Sequence, residues 1–585
     1  MQDYLNLSYN KMPMNYISGG TLMRYIILLI VIFLAGGCWA ADTPAQNPGR
    51  VLSTLSGDWG TLWICTPMFK IMRDTPVPAS SGSSVRIYAA GNEYEPFQIV
   101  LTPKKQLTNV KVTPHTLTGP KGATIPAWSI SVKNVEYVNV TEPTDKYTKA
   151  GFYPDPLPDQ TPFTAPADKN SPIWITVYVP AKTAPGEYKG TVDVTANGIK
   201  KLSVPVSLKV WGFALPSVSK LRTAYGNSMW QASSYQGATT PEQCRRLTDL
   251  YNLDFFKHRI SPYSPYAYYD IKVNAENGNV KLDFTDFDVA IQKFFPLFNT
   301  FMLPRFGMWD DLGFKGDDAE RMKIDYMRQV AEHLTDKGQL AKGYDYITDE
   351  PEESQYGAVI DAAKQVRMAD PRIKIMLTEQ VEPKLVGSVD IWTPIVPNYD
   401  EQRSKARQAA GEEVWWYVCC WPHQPYPTNF IDYPAIDHRI LPWISWHYGV
   451  NGILYWETCY WQDNPWEIPM SQPSDRKSKW GNGDGHLLYP PVKQKSGAFI
   501  DKGPVDSIRW ELIREGVEDY DYFSILKNKI DKASADVKSK PAYADAKAAL
   551  KLVDDCAKSR TEFCRDPEQL EAVRIRIGNA IEGLK

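Results

Sequence analysis

Between about residues 217 and 530 the chain falls into a steady rhythm of short apolar runs and helical stretches. Strand candidates are Leu221 to Gly226, a short segment near Arg259, Thr300 to Phe306, Tyr344 to Asp349 and Lys374 to Thr378. Val389 to Val396, Glu413 to Cys419 and Gly452 to Trp456 complete the set. Helices are expected over 241–256, 319–337, 353–368, 400–410 and 437–448. Eight strand candidates alternating with helical stretches over this length argue for a (β/α)8 TIM-type barrel.

The 585 residues exceed one ordinary domain. Before the barrel, residues 51–216 carry β-branched and aromatic runs such as Ile173 to Val179, and an alternating run from Leu202 to Trp211. Pro180, Pro185 and Gly186 punctuate them, and helix signals are few, so an N-terminal β-sandwich is expected. Its expected work is support, with sugar binding as the rival. Residues 463–503 are loop-rich and could wall a site. Ile508 to Ile530 should be a helix, with Trp510, Leu512, Ile513 and Val517 spaced for burial. Residues 531–585, charged and alanine-rich, suggest a small helical appendage. The expected class is therefore multi-domain, β plus α/β.

The first 40 residues have the parts of an export signal: Met23-Arg24, an apolar run from Tyr25 to Leu34, then small residues to Ala41. Translation could begin at Met23. Cleavage before Cys38 would leave a lipid anchor; cleavage after Ala40 would release the chain. Residues 41–50 follow as a linker. Either outcome implies an exported protein in the periplasm, at the cell surface or secreted, with a membrane reached only through a lipid on Cys38. A net charge of −3 with no basic block argues against nucleic acid. Cys419 and Cys420 are adjacent and lack zinc-pair spacing, and no HExxH or CxxC occurs, so neither a metal nor a cofactor is expected. Cys556 and Cys564 form the one candidate local bridge.

Chemistry in a barrel of this kind sits at the carboxyl ends of the strands. Those ends hold Asn227 and Trp230, Arg259, Arg305, Asp349 and Glu350, Glu379, Asn398, Trp421 and His423, and Trp456 and Glu457. Carboxylates, an arginine, amides and aromatics suit a sugar hydrolase. Arg259, Asn398, Tyr417, Trp421, Trp456 and Glu457 are the candidate substrate-binding set. Asp349 and Glu350, closing the fourth strand, are the catalytic candidates, although Thr348 or Asp349 could equally cap a helix. The seventh strand, where a double-displacement glycosidase commonly keeps its nucleophile, ends without a carboxylate. Neighbours on a strand point to opposite faces, so the pair should not flank a scissile bond symmetrically. Two adjacent acids suit a scheme in which a 2-acetamido group of the sugar is the nucleophile. Glu350 would then move the proton and Asp349 would orient the acetamido group.

Several segments carry a family resemblance: Gly91 to Val100, Ala184 to Thr191, Tyr346-Ile-Thr-Asp-Glu-Pro351, Tyr426 to Pro434, Gly452 to Trp456, Gly483 to Pro490 and Ile508 to Tyr520. On these the chain resembles glycoside hydrolase family 123, and its C-terminal half is similar to the domain of unknown function 4091. The resemblance implies a sandwich-plus-barrel enzyme that removes terminal β-linked N-acetylgalactosamine from glycans or glycolipids by the substrate-assisted route, with retention. The family's Asp-Glu pair falls on Asp349 and Glu350. Three alternatives stay open: N-acetylglucosamine as the sugar, a two-carboxylate mechanism using Glu379 or Glu457, and a surface glycan-binding protein without turnover.

Overall fold

The structure is a computed structural model that describes residues 47–584 apart from Asn277 and Trp309. The export-type segment, with Met23, Cys38 and Ala40, lies outside the described residues, as does most of the 41–50 linker.

The first domain is a two-sheet sandwich. One sheet is centred on Glu93–Pro103, which pairs antiparallel with Gly60–Cys65 on one side and Ser171–Val179 on the other. The second is built around Gly186–Thr195 and Leu202–Ala214, with Val85–Gly91 parallel to the latter. Alternation explains why they face each other. Leu202, Val204, Val206, Leu208 and Val210 are buried while Ser203, Pro205, Ser207 and Lys209 between them are not, so one face of the strand is greasy and must be covered. That face meets Phe97, Ile99, Ile173, Ile175 and Val177 of the other sheet in one apolar core.

The second domain is the expected barrel. Seven parallel strands run in the order Arg222–Tyr225, Gly452–Tyr455, Glu413–Tyr417, Ile391–Trp392, Lys374–Leu377, Gly343–Thr348 and Phe301–Met302. Residues 260–263 fill the remaining gap. Tyr225 donates its N–H to the Ser261 carbonyl (3.0 Å), and the Tyr263 N–H donates to the Tyr225 carbonyl (2.8 Å). The Met302 N–H then donates to the Tyr263 carbonyl (2.9 Å). This ladder is short because the segment pairs over barely one residue on each side, yet it supplies the second of eight staves. The interior is filled from all of them: Ala224, Tyr263, Met302, Tyr344, Met376, Ile391, Trp415 and Leu454 form one cluster.

The crossover helices match their expected spans. Pro241–Lys257 starts from a Thr240–Gln243 capping box and buries Cys244, Leu247, Tyr251 and Phe255 on one face. Asp317–Asp336, Tyr356–Ala369, Glu401–Ala409 and Asp437–Tyr448 follow. The hairpin Lys272–Glu276 with Asn279–Asp283 and the helix Thr285–Phe294 were not anticipated. The hairpin is mostly exposed and polar, which hides its strands from a periodicity argument.

The helix Ile508–Asp531 is buried almost throughout, charged residues included, because each charge is partnered. Arg509 grips Asp155 of the sandwich (2.9 Å), with both side chains fully buried. Asp519 takes Arg439 through two bonds of 2.7 and 2.8 Å. The tail is more than an appendage. Its helices Pro541–Cys556 and Pro567–Gly583 pack on this helix and back onto the sandwich. Arg574, buried, pairs with Glu93 and with Glu95 (2.7 Å), and Asn579 accepts from the Trp211 indole (2.9 Å). A Cβ at position 578 would lie 2.4 Å from that indole, so the helix approaches the sandwich only because Gly578 is there.

Candidate active site

Strand four delivers the acids, and it does so irregularly. Tyr346 pairs with Met376 and Thr348 with Leu377, so Ile347 is an extra residue, a bulge just before the strand ends. Two residues later Glu350 adopts φ 39°, a left-handed conformation that costs a non-glycine residue about 1–3 kcal/mol. The bulge and the kink overturn the expectation that Asp349 and Glu350 point to opposite faces. Tyr346 and Tyr417 both belong to the barrel-interior cluster. The Tyr346 hydroxyl donates to Asp349 Oδ1 (2.5 Å), and the Tyr417 hydroxyl donates to Glu350 Oε1. Both carboxylates therefore stand over the same mouth. Neither Thr348 nor Asp349 caps the next helix; Glu352 does, in a capping box with Gln355.

Thr378, at the end of strand five, ties the pair together. Its Oγ1 accepts the Glu350 N–H (2.8 Å) and donates to Asp349 Oδ1 (3.0 Å), with the Tyr346 hydroxyl 2.9 Å away. Asp349 is thus held through one oxygen by two hydroxyls; Oδ2 receives no donor from the described residues. No Lys, Arg or His among the described residues pairs with either acid.

The two acids are open to solvent through the mouth but walled by the barrel. For Glu350 this partial desolvation raises the pKa, the Tyr417 bond pulls it back, and the Asp349 charge raises it again. Burial pushes the Tyr346 and Tyr417 phenols far up, so both stay neutral donors. Glu379, after strand five, is raised to about 7 by burial, against its bond from the Gln380 N–H, with the charges of Glu382 and Glu350 adding to the rise. Tyr263 packs on the same barrel-interior cluster as Tyr346 and Tyr417, and burial pushes its phenol far up.

The other sequence candidates separate into groups. Tyr417 is at the site, and Trp421 follows it, 43% exposed, at the end of strand seven. Trp456 ends strand eight and donates its indole N–H to Asp484 (3.1 Å), forming an aromatic wall with Tyr460 and Trp480 at centroid distances of 4.9 and 5.4 Å. Gly485 makes room for that indole: a Cβ there would lie 2.2 Å from it. Asn398 is exposed, and its amide contacts Gln380 (3.3 Å).

Two candidates are structural. Arg259 precedes stave two, at the opposite end of the barrel. Its guanidinium is buried on Glu518 (3.0 Å), the Pro216 carbonyl (2.8 Å) and the Asn92 carbonyl. An arginine there serves the seam with the sandwich rather than a sugar. Glu457 is buried and accepts from Ser228 N (3.1 Å), Ser228 Oγ, Thr458 N (2.8 Å) and Cys459 N (2.9 Å). With four donors already on it, it fastens the loop after strand one to the end of strand eight. Among the remaining strand-end residues, Arg305 is the counter-ion of Asp345 and Asn227 is bonded to the Ser264 backbone. His423 lies 3.3 Å from Asp145. Sequence reasoning missed Tyr346, Thr378 and Tyr263. The inward alternation of Tyr344 and Tyr346 carried the signal for Tyr346; Thr378 carried none.

Residues 308–526 match the model of the glycoside hydrolase 123 catalytic domain, and residues 71–196 match that of the glycoside hydrolase 123 N-terminal domain. No curated protein matches the chain. Among solved structures, a family 123 glycoside hydrolase from Clostridium perfringens, described for glycolipid glycan hydrolysis, is similar at 17% identity and TM-score 0.66. The match covers 89% of this chain and 96% of the other. A GH5 xyloglucanase from Bacteroides ovatus has 9% identity over 75% of this chain and 99% of its own, at TM-score 0.26. That likeness is too loose to carry an argument. Two domain models of one family in the right order, and a shared fold over nearly the full length of one of its enzymes, show that this chain belongs to glycoside hydrolase family 123.

Proposed function

We propose that the protein removes terminal β-linked N-acetylgalactosamine, with retention, using the sugar's own 2-acetamido group as nucleophile. The observation that carries this reading is the unequal holding of two adjacent acids. Asp349 is pinned through Oδ1, with Oδ2 left to accept the acetamido N–H. Glu350 has the raised pKa of a general acid. At strand seven, where a protein nucleophile would stand, Tyr417 instead reaches over to Glu350.

In the first step the acetamido oxygen attacks C1 as Glu350 protonates the departing glycosidic oxygen. Asp349 stabilises the positive charge that develops on the oxazolinium. In the second, Glu350 takes a proton from water as the water oxygen attacks C1, and the acetamido group is restored. The aromatic side chains Trp421 and Trp456 suit the apolar faces of a sugar or the aglycone beyond it. The glycolipid hydrolysis described for the Clostridium perfringens enzyme supports a glycolipid or related glycan as substrate. The leader-like first 40 residues support work outside the cytoplasm, free or held by a lipid on Cys38.

Paired aryl β-glycosides of N-acetylgalactosamine and N-acetylglucosamine test the reading, with cleavage of the first and inhibition by a thiazoline analogue expected. Robust hydrolysis of a plain galactoside would sink the substrate-assisted step. Glu379 follows Thr378, whose hydroxyl holds both acids, and burial raises its pKa, so a two-carboxylate mechanism is the second reading. A covalent glycosyl adduct trapped on Glu379 would establish it.

A further inference from the structure

Cys419 and Cys420 stand side by side where strand seven leaves the barrel, and the proposed chemistry uses neither. Their Sγ atoms lie 3.8 Å apart, and both side chains are half-buried. Cys419 continues the inward alternation of Trp415 and Tyr417 and packs on the barrel-interior cluster. Its N–H donates to the Trp421 carbonyl (2.9 Å), so the chain doubles back tightly around Cys420. Two residues before Cys419 is the phenol that holds Glu350; two residues after it is the exposed Trp421. The sulfurs thus sit in the wall between the catalytic acid's partner and an exposed aromatic ring.

We propose that Cys419 and Cys420 are a redox-modified pair that closes a vicinal disulfide when the protein meets an oxidising disulfide, making the ring part of the mouth. The oxidant is a small-molecule disulfide or the disulfide of a thiol oxidoreductase. One cysteine thiolate attacks it, forming a mixed disulfide and releasing one thiol. The second cysteine thiolate then displaces the remaining half, forming the Cys419–Cys420 bond. Two electrons pass to the oxidant, which leaves as two thiols carrying the two protons. Closure brings the sulfurs from 3.8 Å to about 2.0 Å and makes an eight-membered ring, so the peptide between the two cysteines must twist as the bond forms. The Cys556 and Cys564 pair supplies an internal reference. Its residues meet across the turn after Pro541–Cys556, where the Cys564 N–H donates to the Cys556 carbonyl (2.7 Å), away from strand seven.

The full chain is equilibrated with oxidised or reduced glutathione, denatured, alkylated with iodoacetamide and digested. After oxidation the peptide holding both Cys419 and Cys420 should be two hydrogens lighter and take no alkyl group; after reduction it should take two. Two alkyl groups after oxidation, or stable glutathione adducts on that peptide, would overturn the proposal. This measurement does not depend on which sugar is cleaved. Placement in the wall predicts that KM for the aryl amino sugar differs between the oxidised and reduced protein. That difference should persist in a C556S/C564S double variant and vanish in C420S. A difference that survives C420S, or no difference at all, would overturn the role in the mouth.

Discussion

The seam between sandwich and barrel and the mouth of the barrel are both rich in carboxylates, yet they treat them in opposite ways. In the seam each acid meets a cation: Asp155 with Arg509, Asp519 with Arg439, Glu95 with Arg574. At the mouth, Asp349 and Glu350 meet none among the described residues and are held by the neutral hydroxyls of Tyr346, Thr378 and Tyr417. A buried acid gripped by an arginine is tied into the packing and serves as structure. An acid held by neutral donors keeps a pKa that its surroundings can tune and a proton that it can give away. Among the described residues, arginines are gathered in the seam and none pairs with the two acids proposed to carry the chemistry.

Four single substitutions, one of them with a rescuing second change, would break or sharpen this contrast. Glu350→Gln should lower kcat by about 10²–10⁴-fold, with the unfolding midpoint unchanged, because it removes proton transfer and nothing structural. A large stability loss instead would put Glu350 on the seam's side of the comparison. Arg509→Met should do the converse. Leaving Asp155 buried and unpaired costs about 3–5 kcal/mol in denaturant unfolding, and adding Asp155→Leu should recover much of it. Activity per folded molecule should hold.

Tyr417→Phe is smaller and acts on the tuning itself. The Tyr417 bond lowers the Glu350 pKa, so its loss should raise that pKa further above the ordinary glutamate value. The basic limb of the kcat/KM profile reports loss of the protonated acid, so it should move to higher pH, with a rate loss under about tenfold. An unmoved limb would remove Tyr417 from the proton's control. Asn398→Ala should be the smallest, within about 0.5 kcal/mol of the parent in stability, because the side chain is exposed and contacts Gln380 alone among the described residues.

Much of this architecture was legible because it rests on periodicity. Alternation across the sheets and helix-length segments between strands are repeated many times, so single irregular residues do not obscure them. Residues 260–263 show the limit: they pair too briefly to give a strand pattern, and only the count of eight staves in such a barrel asked for them. Arg259 and Glu457 show another limit. An arginine or glutamate beside a strand reads alike whether it faces a ligand or a buried partner. The partners here, Glu518 for Arg259 and Ser228 for Glu457, are hundreds of residues away in sequence.

The sequence by itself determined the sandwich, the barrel, and the end of strand four as the place for Asp349 and Glu350, because local patterning and strand order are written along the chain. Only the tertiary structure decided how those acids differ. The bulge at Ile347, the left-handed turn at Glu350, and hydroxyls brought from strands four, five and seven set which oxygen is pinned and which carboxyl is raised. Those are properties of neighbours in space, and the folded barrel is what makes them neighbours.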